Sequence, residues 1–138
     1  MQSPVFLPVS SAVLTTANAV MTGAGVVSHI YQAPVQSKVH MIIWRSLGSN
    51  VATVGRLFIN NGLDNNESTN NSLIDEITLP LTTASSIIAT RGQLMDMPIW
   101  VPANYKLFVT LGTTVVAGYK VTAFAGPYEG TPLVRITA

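Results

Sequence analysis

His29 and His40 are the two side chains of this sequence that titrate near neutrality, so general-base catalysis would have to start from one of them. Each lies inside a run that reads as a β-strand, with no carboxylate or hydroxyl motif beside it to orient the ring or supply a nucleophile. Both therefore read as packed or surface strand residues. The one adjacent pair of carboxylates, Asp75-Glu76, also falls inside a strand-like run. Neighbours on a strand point to opposite faces, so the two cannot flank a glycosidic bond unless a bulge re-aims one of them. A cross-sheet pair between one of them and an arginine such as Arg56 is the expected role.

Asp64, Asn66, Ser68 and Asn70 alternate as the oxygen ligands of a calcium loop do, but glycine is missing from the sixth position and the twelfth is Asp75, not a bidentate glutamate. No metal site is expected there. Gly23-Ala24-Gly25 lacks the third glycine, the following helix and the Lys-Ser/Thr pair of a phosphate loop, and reads as a turn before a strand. Trp44, Trp100, Tyr105, Tyr119 and Tyr128 are spread over different strands, which suits core and contact roles better than a sugar-stacking platform. With no cysteine there is no disulfide, thiolate nucleophile or thiolate metal site. No catalytic residue, cofactor or metal is expected, and the chain reads as a non-enzyme.

The elements that must position these residues are short. Runs rich in Val, Ile, Thr and aromatics recur at 26–32, 38–45, 54–60, 72–79, 93–99, 105–111, 119–125 and 133–137, with Gly, Pro, Asn or Ser between them. Such spacing predicts an all-β fold, a single β-sandwich of about eight antiparallel strands in a jelly-roll-like arrangement. Residues 26–138 form this domain, and residues 1–25, which show no period, are left as an N-terminal arm, an edge strand or a short helix over 11–21. Strict alternation puts Val39, Met41 and Ile43 on one face of the second run and Lys38, His40, Ile42 and Trp44 on the other; Phe108 falls on the polar face of the 105–111 run. A tight turn is expected at Pro102-Ala103-Asn104, with Pro102 as its first central residue and Asn104 left-handed. Between two strands, residues 60–71 hold six Asn in twelve positions and read as a polar rim loop; the sequons at Asn66 and Asn70 matter only in a secreted chain.

Only 9% of the 138 residues are charged while 48% are apolar, and the mean hydropathy is +0.41. A chain so poor in charge folds but covers its surface badly, as a subunit of a permanent assembly can. The net charge of +1, from basic residues scattered without a run, excludes the cationic footprint of a general nucleic-acid binder. The apolar stretch 5–27 has no preceding Lys or Arg and is broken by Pro8 and by Ser and Thr residues, so neither a cleaved signal peptide nor a membrane span is expected.

The order Leu14-Thr15-Thr16-Ala17-Asn18, then Gly55-Arg56-Leu57-Phe58-Ile59-Asn60-Asn61-Gly62, then Leu73-Ile74-Asp75-Glu76-Ile77, then Trp100-Val101-Pro102-Ala103-Asn104-Tyr105-Lys106-Leu107 resembles a group of small tailed-bacteriophage virion proteins. The resemblance spans about residues 14–125. It departs at Ala103-Asn104, where the group carries glycine, and in the longer Asn-rich insertion. It implies a β-sandwich virion component assembled in the host cytoplasm. The concrete role would be a capsid decoration or cement protein, a homotrimer bound to the major capsid protein at capsomer junctions, with no direct nucleic-acid or membrane contact. A tail, baseplate or fibre component is the alternative, and a carbohydrate-binding module a more distant one. The contact residues expected are Val5, Phe6 and Leu7 in the arm, Ile42, Trp44 and Phe108 on outer faces, and Arg45 as an anchor.

Overall fold

The computed structural model describes residues 6–127. The expected strand at 133–137 and the residues Val5 and Tyr128 lie outside them. Among the described residues nine strands follow one another: β1 (Leu7–Ser10), β2 (Ser28–Gln32), β3 (Ser37–Ser46), β4 (Thr53–Asn60), β5 (Asn71–Leu79), β6 (Gln93–Met95), β7 (Ile99–Val101), β8 (Lys106–Leu111) and β9 (Tyr119–Pro127). All pair antiparallel. Sheet I runs β1-β9-β3, with both β6 and β7 on the far side of β3; sheet II runs β2-β8-β4-β5. Counting β6 and β7 as one interrupted strand, the chain passes between the sheets in the order of a jelly roll, so the sandwich has the expected architecture.

The interrupted strand explains a change of face on β3. Pro98 carries no N–H and cannot continue a ladder, so the run expected at 93–99 breaks into β6, opposite residues 42–44, and β7, opposite residues 37–39. Opposite this break β3 bulges, its register against β9 slipping between Val39 and Met41. The extra residue, His40, inverts the alternation. Val39, Ile42 and Trp44 all face inward and are fully buried, while Met41, Ile43 and Arg45 face out. Ile42 and Trp44 are therefore core residues, not outer-face ones. Facing Leu57, Leu79, Leu107 and Val109 of sheet II, they form the main core with Val121, Ala123 and Ala125 of β9. The Trp44 indole lies over Gly55 of β4, where a Cβ would come within 2.7 Å of the ring, and its Nε1–H donates to the Met95 sulfur at 3.4 Å.

Residues 7–25 belong to the sandwich. β1 pairs with β9 as an edge strand, Leu14 and Tyr119 exchange backbone hydrogen bonds, and Asn18 N–H donates to Leu111 O, carrying the chain from sheet I across to sheet II. Residues 18–26 then lie as a strap over the outer face of sheet II. Beneath it Phe108 stacks on its cross-strand partner Phe58, ring centroids 5.0 Å apart, outside the main core. Phe108 does lie on the outer face, as its parity requires, yet it is fully buried, and this corrects its expected exposure. Gly23 sits on the two rings at φ 77, where an added Cβ would approach Phe108 to 2.9 Å.

The Asn-rich loop fastens this strap. Asn65 Nδ2 donates to the carbonyls of Gly23 and Gly25, Asn71 Nδ2 to Thr22 O, and Gly25 N–H donates to Asn66 Oδ1. From inside the strap Asn18 Nδ2 donates to Ala24 O and Val26 O. The amides thus satisfy strap carbonyls that neither sheet pairs. Replacing Asn65 and Asn71 together with alanine should cost about 1–3 kcal/mol and raise proteolysis and amide exchange across 18–26 before the rest of the sandwich opens. Exchange unchanged in that segment would show that the latch holds nothing.

The turn at the start of β8 differs slightly from expectation. Asn104 is left-handed at φ 72, but Pro102 occupies the first corner and its carbonyl accepts the Tyr105 N–H.

Candidate interaction face

Among the described residues, the outer face of sheet I carries a row of apolar side chains outside the core. Met41 of β3 lies opposite Phe124 of β9, and Ile43 lies between Thr122 and Leu94 of β6. Met41, Ile43 and Phe124 are partly exposed and do not join the core, and Leu94 is 48% exposed. They make an apolar stripe across three strands. An apolar outer face on β3 was expected, but the bulge supplies it with Met41 and Ile43 in place of Ile42 and Trp44.

Towards the Ser46 end of β3 the stripe runs into cations. Arg45 and Lys120 are cross-strand partners, both exposed, so two like charges face each other directly. Arg91 lines the same shallow depression as Arg45, Ile43 and Leu94. The long β5–β6 connection leans against this end. Its Thr90 carbonyl accepts a hydrogen bond from Arg45 Nη1, and Ile88 and Ala89 line a second depression with Arg45 and Leu47. At the tip Ile87 is 92% and Ile88 70% exposed. Leu47, Val51, Leu81 and Val116 are exposed on the loops at this end of the sandwich.

Asn50 gives the loop end its shape. Buried in the β3–β4 connection, it accepts the N–H groups of Ala117 and Gly118 at 2.9 Å each and donates to Gly118 O and Ser46 Oγ. Its backbone pairs with Thr82, so one residue ties together the β3–β4, β5–β6 and β8–β9 connections.

Of the contact residues expected from the sequence, Arg45 is exposed in this face. Phe6 packs its ring 5.6 Å from that of His40, and Leu7 is exposed at the start of β1, so both lie along the sheet I edge. Ile42, Trp44 and Phe108 are interior. Sequence reasoning missed Met41, Ile43, Leu94, Phe124, Ile87 and Ile88. For the two loop isoleucines a signal was present: an apolar pair in a Ser/Thr/Ala stretch to which no element had been assigned.

The residues weighed for chemistry are dispersed. His29 lies on β2 of sheet II and His40 on the bulge of β3 in sheet I. Glu76 accepts Arg56 Nε–H at 2.7 Å as its cross-strand partner, the kind of pairing anticipated for one of the two adjacent carboxylates. Asp64 Oδ1 accepts the Asn66 N–H, and Asn70 donates to the Asp64 carbonyl, so these groups are engaged inside their own loop. Trp44 and Tyr119 are interior, and the Lys38 ammonium lies 5.0 Å over the exposed Trp100 ring. Among the described residues no helix is long and apolar enough to cross a membrane.

Partial desolvation of the His29 ring, which stays exposed beside Phe108 with centroids 5.9 Å apart, holds its pKa below the usual 6.5, and the Lys106 ammonium adds to the shift. Protonation therefore favours the unfolded chain. Above the ordinary histidine pKa both states are neutral and nothing is lost; as pH falls through about 6.5 the folded state loses stability, levelling off below the depressed folded value. The melting temperature of the wild type should fall more between about pH 7 and 5 than that of His29→Gln. Parallel curves would remove His29 as the cause.

Comparison with protein-family models, with curated proteins and with solved structures finds no match for this chain.

Proposed function

We propose that this protein is a non-enzymatic structural subunit of a tailed-phage virion, a decoration protein that stabilises the head by binding at capsomer junctions as a trimer. The observation that carries the reading is the outer face of sheet I, an apolar stripe ending in the neighbouring cations Arg45, Lys120 and Arg91, on a chain with 9% charged residues. A jelly roll is a common scaffold for capsid components, a fold-level analogy that supports the class without naming the partner. Binding the closed shell alone would raise its stability by mass action, and a ring closed about a three-fold axis matches a three-fold site. The resemblance of the motif order to small virion proteins points the same way.

Mass photometry of the purified chain, repeated after mixing with phage heads stripped of accessory proteins, tests it. A trimer that co-sediments with heads is expected. A larger ring that ignores heads and joins tails would move the assignment to the tail, and a monomer that joins neither would overturn the virion reading.

A further inference from the structure

Building on that reading, we infer that the β5–β6 loop end of sheet I is the surface that meets the shell, and that its partner is an apolar protein depression bordered by carboxylates, not a second copy of this chain. The inference rests on where the charges lie. Arg45, Lys120 and Arg91 gather at this end, and Arg45 and Lys120 are direct cross-strand neighbours. Like charges placed opposite each other weaken a sheet unless something else compensates them. The described carboxylates are elsewhere. Asp64, Glu67, Asp75 and Glu76 belong to β5 and the loop before it in sheet II, Glu76 being already paired with Arg56, and Asp96 sits past the end of β6 at the strand break.

Two copies meeting through this end would bring six cations together with no carboxylate from the cluster between them, which costs rather than stabilises. A partner surface carrying carboxylates would compensate them. The apolar part sets the rest of the partner's chemistry. Ile88, 70% exposed, lines a depression with Arg45 and Leu47, Ile87 before it is 92% exposed, and the Ala89-Thr90 segment that follows lines the neighbouring depression with Ile43 and Leu94, so the loop tip and the stripe meet at Arg45. A flat apolar sheet face flanking the tip suits a packed protein surface; a lipid surface would engage the tip alone. Three cations are too few for the phosphate-tracking stripe that a nucleic acid requires.

The arrangement also separates two surfaces. Trimer contacts would fall away from this end, leaving the three apices free to face the shell in parallel.

The test uses the full chain, stripped heads as the probe, and two exposed-site variants, I87S/I88S and K120E. Co-sedimentation at rising NaCl is the readout, with mass photometry of each variant alone. Wild-type occupancy should fall as salt rises. I87S/I88S should lose at least about tenfold in affinity, K120E should weaken binding and flatten the salt dependence, and both should keep the wild-type oligomer mass. Should K120E fail to fold, I87S/I88S alone decides, because its side chains touch solvent.

If wild type binds heads and both folded variants bind as tightly, the docking surface is wrong while the decoration reading stands. Loss of the oligomer in either variant would show that a second copy covers this face. Wild-type binding to phosphatidylglycerol vesicles or duplex DNA at equal salt, lost in the same variants, would replace the protein partner with that ligand. If wild type binds no heads at all, both readings fall.

Discussion

Trp44→Ala should lower stability by about 3–5 kcal/mol, a drop of roughly 10–20 °C in Tm for a domain of this size, while leaving the mass of the folded protein in solution, whatever its oligomeric state, unchanged. The indole is fully buried between the sheets, its Nε1–H is held by Met95, and Gly55 across the core has no side chain where the ring lies. Truncation leaves a cavity that neither strand can collapse to fill, because β3 is held on both sides by β9 and by β6 and β7. Gly55→Ala probes the same contact from the other sheet. Its Cβ would come within 3.0 Å of three ring atoms, and a loss of about 1–3 kcal/mol is expected. Differential scanning calorimetry and mass photometry separate the outcomes: a changed oligomer mass with an unchanged Tm would place Trp44 at a contact between subunits.

Asn50→Ala should cost about 2–4 kcal/mol, more than an ordinary loop substitution, because it takes the acceptor from two adjacent backbone donors and unties three connections together, the Gly118 carbonyl keeping only the Leu47 N–H. The N–H groups of Ala117 and Gly118 lose their acceptor, and the Gly118 carbonyl loses a donor. Three connections loosen at once, so on the proposed docking surface head binding should weaken more than global stability predicts, since the cations and isoleucines of the loop end would no longer be held in one arrangement. Ser49→Ala, one residue away and exposed, is the control: it removes the hydrogen bond from Ala84 N–H to Ser49 Oγ and should cost well under about 1 kcal/mol. Equal effects for the two variants, by chemical denaturation, would refute the role given to Asn50.

How far the sequence speaks for this fold depends on the range of the interaction that decides each feature. Seven β runs and the turns between them were legible because alternation and turn residues are local. An arginine such as Arg56 could be matched with one of Asp75 and Glu76 because pairing within a meander follows from nearly local register, and the register itself selects Glu76. The outer residues of β3 were not legible, because a bulge opposite a proline on another strand inverts their parity, and alternation counted along one strand cannot register it. β1 was missed as a definite strand because four residues, one of them Pro8, show no period, and only β9 makes them an edge. The Asn-rich loop looked solvated in the sequence, whereas its amides are taken up by a strap some forty residues earlier. As for the candidate face, composition announced that apolar surface exists, and the bulge decided which residues form it.

The pairing of β1 with β9 also governs how the chain must come into being. Ser10 and Thr122, whose hydroxyls meet at 2.9 Å, are 112 positions apart, and β9 is the strand between β1 and β3. Until β9 has been synthesised, sheet I has no middle: β3 exposes one edge and its inward row of Val39, Ile42 and Trp44, and β1 has nothing to pair with. Closure of so long a loop places the chain among slow folders, on the millisecond-to-second scale. For a chain this poor in charge, the interval before closure is when it is most exposed to aggregation, so its yield in a crowded cell depends on how quickly β9 arrives.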